Sequence, residues 1–463
     1  VLKTKAEMFF EEIKNKKVTF IGAGVSHKQL ISMFAQKGIK VTLRDKKSEK
    51  QLGSICDEYA RLGVEMILGE DYLENITEDI ILRTPGMYFY NEKLAAAMED
   101  GKVVTSEIEL FLSLCPCKKY AVTGSDGKTT TTTIIARLLE KSGKKVFLGG
   151  NIGTPLLPKI FEVSEDDVAV VELSSFQLLS MREAVDIAVI TNIAPNHLDV
   201  HGTMEEYINA KKNIVLHQNG FSRTVLNFDN EETMKLKHLV RGSLYTFSLK
   251  SPQKRGAYLG ADGILYAHDD NGSHKIMHRD EIKIPGIHNV DNFLTAICAV
   301  WGEVCAEDIR EFAKTFGGVP HRIEFVREKD GVRWYNDSIA TSPTRTIAGL
   351  NSFDQKIIVI AGGYDKKIPF EPLAPTITEK VKLLILCGDT SSKIEKAITS
   401  YSGYEEGEPE IIITDCLENA VKIAKEKAVS GDIVSLSPAC ASFDRYPNFE
   451  ARGEHFRKLV ENI

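Results

Sequence analysis

A chain of 463 residues has room for about three domains of ordinary size, and with 43% apolar and 27% charged residues it reads as a packed globular protein, not a disordered or fibrous one. Its formal net charge of −7 argues against a nucleic-acid partner, so an anionic ligand has to be met by a local group of cations. Of eight scattered cysteines only Cys115 and Cys117 lie close together, no zinc spacing occurs, and neither a leading signal peptide nor an apolar run of membrane-spanning length is seen, which predicts a reduced, cytoplasmic setting without a membrane partner.

The first elements, in chain order, are a strand from Val18 into the turn Gly22-Ala-Gly24, a helical stretch to Gly38, and a strand from Ile39 to Asp45. Strand, glycine turn, helix and a strand ending in an acid open a doubly wound parallel sheet. The third glycine of the dinucleotide fingerprint is missing, with His27 in its place, so the case for NAD is weak. The turn can bind a nucleotide-like phosphate at Ser26, with a ribose or base near Asp45 and Lys46, or it can be a plain structural turn. Ile80 to Leu82 is a further buried strand running into Arg83-Thr84-Pro85-Gly86, and a boundary falls near Thr105, ahead of a helix over Glu107–Leu114.

Next comes T-G-S-D-G-K-T-T, residues 123–130. A short strand at Tyr120–Val122 meets Gly124, Ser125, Asp126 and Gly127, then Lys128, Thr129 and Thr130, after which Ile134, Ile135, Leu138 and Leu139 fall at helical spacing. Glycines let backbone N–H groups approach phosphate oxygens, the helix start adds partial positive charge, Lys128 adds a full one, and the Thr129 hydroxyl suits Mg²⁺. The loop is tighter than the strict eight-residue phosphate-loop pattern, because Val122 stands where its first glycine would be.

Two more buried strands follow, Val168 to Glu172 and Ile187 to Asn192, the first ending on a carboxylate and the second leading to His197. Both polar ends would sit beside the phosphate loop, where a magnesium nucleotide needs oxygen ligands; taken singly, each reads as well as a cap or a turn residue. Glu205 to Val215 is an amphipathic helix whose Lys211 and Lys212 read, on spacing alone, as a solvated face. Short strands and polar loops occupy 224–284, and then Asn289 and Asn292 stand just before a long apolar helix, Phe293 to Val304, where they can bond an adenine edge or cap the helix. From about Val319 strands ending at Ala361, Leu386, Thr414 and Leu436, each followed by a turn, predict a third parallel α/β unit.

T-G-S-D-G-K-T-T, G-G-N-I-G-T-P (149–155), E-L-S-S-F-Q-L (172–178), H-N-V-D-N (288–292), P-H-R (320–322), N-D-S (336–338) and S-P-A-C-A-S-F-D (437–444) together resemble, in order and over essentially the whole chain, the Mur ligase family. The resemblance implies an α/β protein of three domains: a Rossmann-like N-terminal domain, residues 1–105, for a UDP-substrate; a central phosphate-loop ATPase-like domain, residues 106–318; and a Rossmann-like C-terminal domain, residues 319–463, for an amino acid. It implies ATP-dependent amide ligation in cytoplasmic peptidoglycan precursor synthesis, with D-glutamate added to UDP-N-acetylmuramoyl-L-alanine through an acyl phosphate, by a monomer using two Mg²⁺ ions.

Carried over by motif, Lys128, Glu172, His197 and Lys211 are the catalytic set, and Thr129, Glu172, His197 and a carbamylated Lys211, in Y-x-x-A-K, the metal set. Besides the loop residues Gly124 to Thr130, ATP is implied to meet Asn289, Asn292, Arg322 and Asp337. The UDP-substrate is implied to meet Ser26, Asp45, Lys46, Thr84, Gly86 and Asn151, and D-glutamate Thr341, Lys366, Ser442 and Phe449. Two departures stand out, Ile339 where the family pattern has lysine and Asn196 where an Asp often precedes the metal histidine. Arg345 or Lys367 is the expected source of the missing cation. A sibling ligase with another amino acid, or a non-catalytic nucleotide-binding protein on the same fold, are the rival readings.

Overall fold

The computed structural model describes residues 3–195 and 198–463, with Val25, Leu198 and Asp199 described by backbone alone. The chain divides into two compact units, residues 1–279 with 291–310, and residues 280–290 with 311–463.

The first unit holds two sheets. In the first, β1 (Lys17–Ile21), β2 (Lys40–Asp45), β3 (Glu65–Leu68), β4 (Ile80–Arg83) and β5 (Val103–Thr105) pair in the order β3-β2-β1-β4-β5. All its pairings are parallel, as the buried apolar strands demanded. The order reverses between β1 and β4, so the loops after these strands, at Gly22 and Thr84, open at the crevice where such sheets take ligands. A Cβ on Gly22 would come within 2.8 Å of the Thr84 methyl, so the two loops touch.

The second sheet is larger. β6 (Lys118–Thr123), β7 (Val146–Gly150), β8 (Val168–Glu172), β9 (Ile187–Ile190), β10 (Arg223–Asn227), β11 (Ser243–Ser248), β12 (Gly256–Leu259), β13 (Ile264–Asp269) and β14 (Gly272–His278) run β14-β13-β12-β11-β10-β9-β6-β8-β7. The pairings are parallel from β7 to β12, and β12, β13 and β14 close the edge antiparallel. β8 and β9 are buried along their whole length, which is why both read as unbroken apolar runs. The helices Glu107–Leu114 and Lys128–Lys141 begin where expected.

The helix placed at Phe293–Val304 runs instead over Ile287–Val300, because Gly286 at φ +95 breaks the chain just before it and Gly302 at φ +91 turns it away afterwards. Asn289 and Asn292 therefore lie inside its first turns, not ahead of it.

In the second unit β15 (Glu324–Lys329), β16 (Val332–Asn336), β17 (Ile357–Ala361), β18 (Val381–Cys387), β19 (Glu410–Thr414) and β20 (Ile433–Leu436) pair as β15-β16-β20-β17-β18-β19. The four expected strands are here, joined by an antiparallel β15–β16 hairpin. Asp330 at φ +54 and Gly331 at φ +75 make its turn. Apolar clusters cover both faces of this sheet, one built on Ile357, Val359 and Leu384, the other on Ile358, Ile360 and Phe456. Among the described residues no helix is long and apolar enough to cross a membrane.

Candidate active site

The phosphate loop hangs from the ends of three neighbouring strands. Gly124 follows β6 at φ +151, and a Cβ there would stand 1.9 Å from the Thr191 hydroxyl. Gly127, at φ +74, backs onto Asn292, whose Oδ1 would meet its Cβ at 2.4 Å. Both glycines are thus required by backbone conformation and by space. After β9, Thr191 donates its hydroxyl to the Asp126 carbonyl at 2.6 Å, while Asn192 takes the Ser125 amide on its carbonyl and the Asp126 amide on its Oδ1, both at 2.9 Å. Ser125 donates its hydroxyl to the Ala194 carbonyl at 2.8 Å and lies 3.0 Å from the Tyr207 hydroxyl. Asn292 accepts from Thr131 at 3.2 Å, so it supports the helix start that Thr129 and Thr130 begin. The Lys128 ammonium folds back onto the Gly124 and Ser125 carbonyls at 2.9 and 2.8 Å.

Beside this loop, Glu172 ends β8 in a buried place. Its Oε1 accepts from Asn151 Nδ2 at 2.8 Å, and its Oε2, equally buried, takes no hydrogen bond. A bare carboxylate oxygen in a dry site is costly unless a cation meets it, so the donor set fits a hard metal ion. The Asn151 side chain, expected to meet the UDP-substrate, is thereby engaged by the carboxylate.

Lys211 corrects the surface reading of its helix. It is 1% exposed on the helix Met204–Leu216, with Nζ 2.8 Å from the Gly124 carbonyl, 3.3 Å from the Thr123 hydroxyl and 4.6 Å from the Tyr207 ring centre. Burial, and then the charge of Lys128, hold its ammonium well below the usual lysine range. Disfavouring the ammonium in this way favours the free amine, the form to which CO₂ adds. His197, with Asn196, lies outside the described residues.

At the first sheet, Asp45 spends its carboxylate on backbone, accepting from Ala23 N at 2.7 Å and Lys47 N at 2.8 Å. It shapes the turn next to Ser26. Lys46 makes an exposed pair with Glu70 at 3.3 Å, and Thr84 and Gly86 flank the crevice loop. His27, in the place of the third glycine, is a core residue: its Nδ1 donates to the Gly22 carbonyl at 2.9 Å, its ring packs edge-on against Phe20, and burial pushes it down to about 4, so it stays neutral.

In the second unit Asn289 donates to the Pro285 carbonyl at 2.5 Å. Asp337, wholly buried after β16, accepts from the Ile323 amide at 3.2 Å and the Ser437 hydroxyl at 3.4 Å; burial pushes it up to about 7, opposed by that amide bond and by Arg322. Lys366 donates to the Thr341 carbonyl at 3.2 Å, and Ser338 donates to the Phe449 carbonyl at 2.8 Å, so Thr341, Lys366 and Phe449 meet at one loop. Ser442 is buried in the adjoining loop, whose neighbouring carbonyls are held by a residue that sequence reading missed. Arg452, buried on the last helix, donates to Ser338 Oγ and to the carbonyls of Ser338, Cys440 and Ala441 at 2.9 to 3.1 Å. Arg83, equally unforeseen, reaches from β4 to the Phe176 carbonyl at 3.1 Å and Ser180 Oγ at 2.9 Å. No spacing marks either one; a buried arginine is found only by its partners.

Strand ends, loop and buried carboxylate define an α/β nucleotide-binding protein of the phosphate-loop class. Residues 122–300 match the model of the Mur ligase middle domain, and residues 321–440 that of the Mur ligase glutamate ligase domain. The chain is 50% identical over 465 residues, with all of both chains covered, to the UDP-N-acetylmuramoylalanine–D-glutamate ligase of Acetivibrio thermocellus. It is 48% identical over 458 residues, 98% of each chain, to that of Clostridium acetobutylicum. Among solved structures it shares the fold of the UDP-N-acetylmuramate-alanine ligase of Thermotoga maritima, at 17% identity, TM-score 0.58, over 96% of this chain and 99% of that one. The chain belongs to the Mur ligase family.

Proposed function

We propose that this chain is an ADP-forming ligase that joins D-glutamate to UDP-N-acetylmuramoyl-L-alanine in the cytoplasm, acting as a monomer. Full-length identity of about half to relatives named for that reaction supports the substrates. The observation that carries the chemistry is the bare buried oxygen of Glu172 beside a glycine loop and a buried lysine whose ammonium is disfavoured. We assign residues 1–105 to the UDP-substrate, 106–318 to ATP and 319–463 to the amino acid.

A carboxylate is a poor electrophile, so its oxygen first attacks the γ-phosphorus of ATP, releasing ADP and leaving an acyl phosphate. The amine of D-glutamate then attacks the acyl carbon, and the tetrahedral intermediate collapses to amide with loss of phosphate and a proton. In the first step anion approaches anion, so positive charge must be fixed in advance. Lys128 and the loop amides provide it, the ammonium exchanging its two carbonyl contacts for phosphate oxygens. Thr129, Glu172, His197 and carbamylated Lys211 would hold two Mg²⁺ ions, which neutralise the triphosphate and the incoming carboxylate. Asn289, Asn292, Arg322 and Asp337 complete the ATP set, and Ser26, Asp45, Lys46, Thr84, Gly86 and Asn151 the UDP-substrate set.

The test is phosphate release from ATP with UDP-N-acetylmuramoyl-L-alanine and a panel of amino acids. Release that needs both the UDP-substrate and D-glutamate supports the reading. Release with another amino acid instead identifies a sibling ligase, and nucleotide binding without release a non-catalytic binder.

A further inference from the structure

Two cations bracket the loop that follows β16. Arg345, exposed on the helix Pro343–Leu350, donates from Nη1 to the Ile339 carbonyl at 3.3 Å, and Lys366, exposed in the loop after β17, donates from Nζ to the Thr341 carbonyl at 3.2 Å. Carbonyls two residues apart thus anchor two full positive charges, each held by a neutral acceptor. Among the described residues neither cation forms an ion pair, whereas other cations of the same unit do: Lys393 with Asp365, and Arg457 with Glu324. Asp337, on the same loop, turns its carboxylate inward to the Ile323 amide and the Ser437 hydroxyl. The two cations feel each other, since Lys366, partly shielded though exposed, is held below the usual lysine range by that desolvation and next by the charge of Arg345. Arg345 also acts on the buried Asp337 carboxylate, though less than Arg322 does, so two like charges drawn to one short loop without an ion-pair partner remain an unfavourable arrangement until an anion arrives. Ile339, between them, offers no polar group of its own.

We propose that Arg345 and Lys366 form a two-cation clamp for the acceptor amino acid, in which Arg345 binds the side-chain carboxylate and so sets the preference for a dicarboxylic acid over a neutral one of equal length. The inference rests on the ligase reading above and adds to it a residue that the motif-derived set lacks. A planar guanidinium presents paired donors to a carboxylate, while Lys366 acts as a point charge for the other one. Lys367 does not share this role: its amide donates to Asp365 at 2.7 Å, and its charge acts on that same carboxylate, which also pairs with Lys393.

The experiment compares wild type, Arg345→Ala, Arg345→Lys and Arg345→Gln with D-glutamate and with D-glutamine, whose amide removes one charge at constant length. Arg345→Ala is expected to raise KM for D-glutamate 10- to 100-fold, to leave KM for ATP and the UDP-substrate within about twofold, and to lower the D-glutamate preference over D-glutamine by the same factor as the first. Arg345→Lys should recover part of this. Arg345→Gln keeps the side-chain stem and should match the alanine variant, so the result does not hang on one variant folding well. Ile339→Lys added to Arg345→Ala should restore part of the D-glutamate affinity. An unchanged KM for D-glutamate in both neutral variants overturns the clamp, and a rise confined to KM for ATP overturns it in favour of a phosphate contact. If wild type ligates no D-glutamate at all, the functional reading itself has failed and the clamp falls with it.

Discussion

At the scale of single residues, two of the assigned side chains are ionisable groups that the fold buries, Lys211 in the first unit and Asp337 in the second. Lys211 is 1% exposed, and burial holds its ammonium well below the usual lysine range, which favours the free amine to which CO₂ adds to give an anionic oxygen ligand. Lys211→Ala is expected to lose most activity and to recover part of it when short carboxylic acids are added, assayed by phosphate release. Full activity without rescue would remove Lys211 from the metal set. Asp337 is the second such group, pushed up to about 7 from 3.8 by burial. An acid raised in the folded state costs nothing below pH 4, where both states hold the proton. Its cost grows as pH rises from about 4 to 7, where only the folded chain keeps the proton, and is constant above. Asp337→Asn should therefore flatten this part of the stability profile, melting higher than wild type at pH 8 but no higher at pH 4, while KM for ATP rises. A profile unchanged by the substitution would show that Asp337 ionises normally.

At the scale of elements, the phosphate loop is held in shape by its neighbours before any ligand binds. Gly127→Ala forces a side chain into the left-handed region, at about 1–2 kcal/mol, and drives its Cβ to within 2.4 Å of Asn292 Oδ1. We expect a melting temperature several degrees lower and a KM for ATP at least tenfold higher. Gly127→Ala combined with Asn292→Ala should regain part of the stability but not the ATP affinity, since the backbone strain remains. Equal melting of wild type and Gly127→Ala would show that the loop tolerates a Cβ. Thr191→Val deletes the hydroxyl that ties the Asp126 carbonyl at 2.6 Å, and should weaken ATP binding without changing the loop's glycine requirement.

At the scale of the whole molecule, the ligase reading assigns three ligands to three successive stretches of chain, the UDP-substrate to residues 1–105, ATP to 106–318 and the amino acid to 319–463. Ligation also requires that water be kept from the acyl phosphate. An ATP analogue and UDP-N-acetylmuramoyl-L-alanine together are therefore expected to reduce the radius of gyration in small-angle scattering, and either alone to do so less. Scattering curves that superpose with and without both ligands would rule out closure as part of the cycle.

The sequence by itself determined the alternation of strand and helix, the phosphate loop and its glycines, and the strand ends at Glu172 and Asp45, because period, turn chemistry and loop spacing are local properties. The hairpin at Asp330-Gly331 was legible too, since that dipeptide between strands is a strong turn signal, but the reading passed over it. The start of the helix at Ile287 was equally marked by Gly286. Tertiary structure alone decided what polar side chains do once buried. The pattern of the helix Met204–Leu216 puts Lys211 beside Lys212 on an apparent solvent face, and only the strand ends it packs against make it a buried amine. Likewise Arg452 and Arg83 look like any surface arginine until the carbonyls of Ser338 and Phe176, distant in sequence, are brought near. A buried polar group is defined by its partners, and partners separated by tens or hundreds of residues leave no spacing to read.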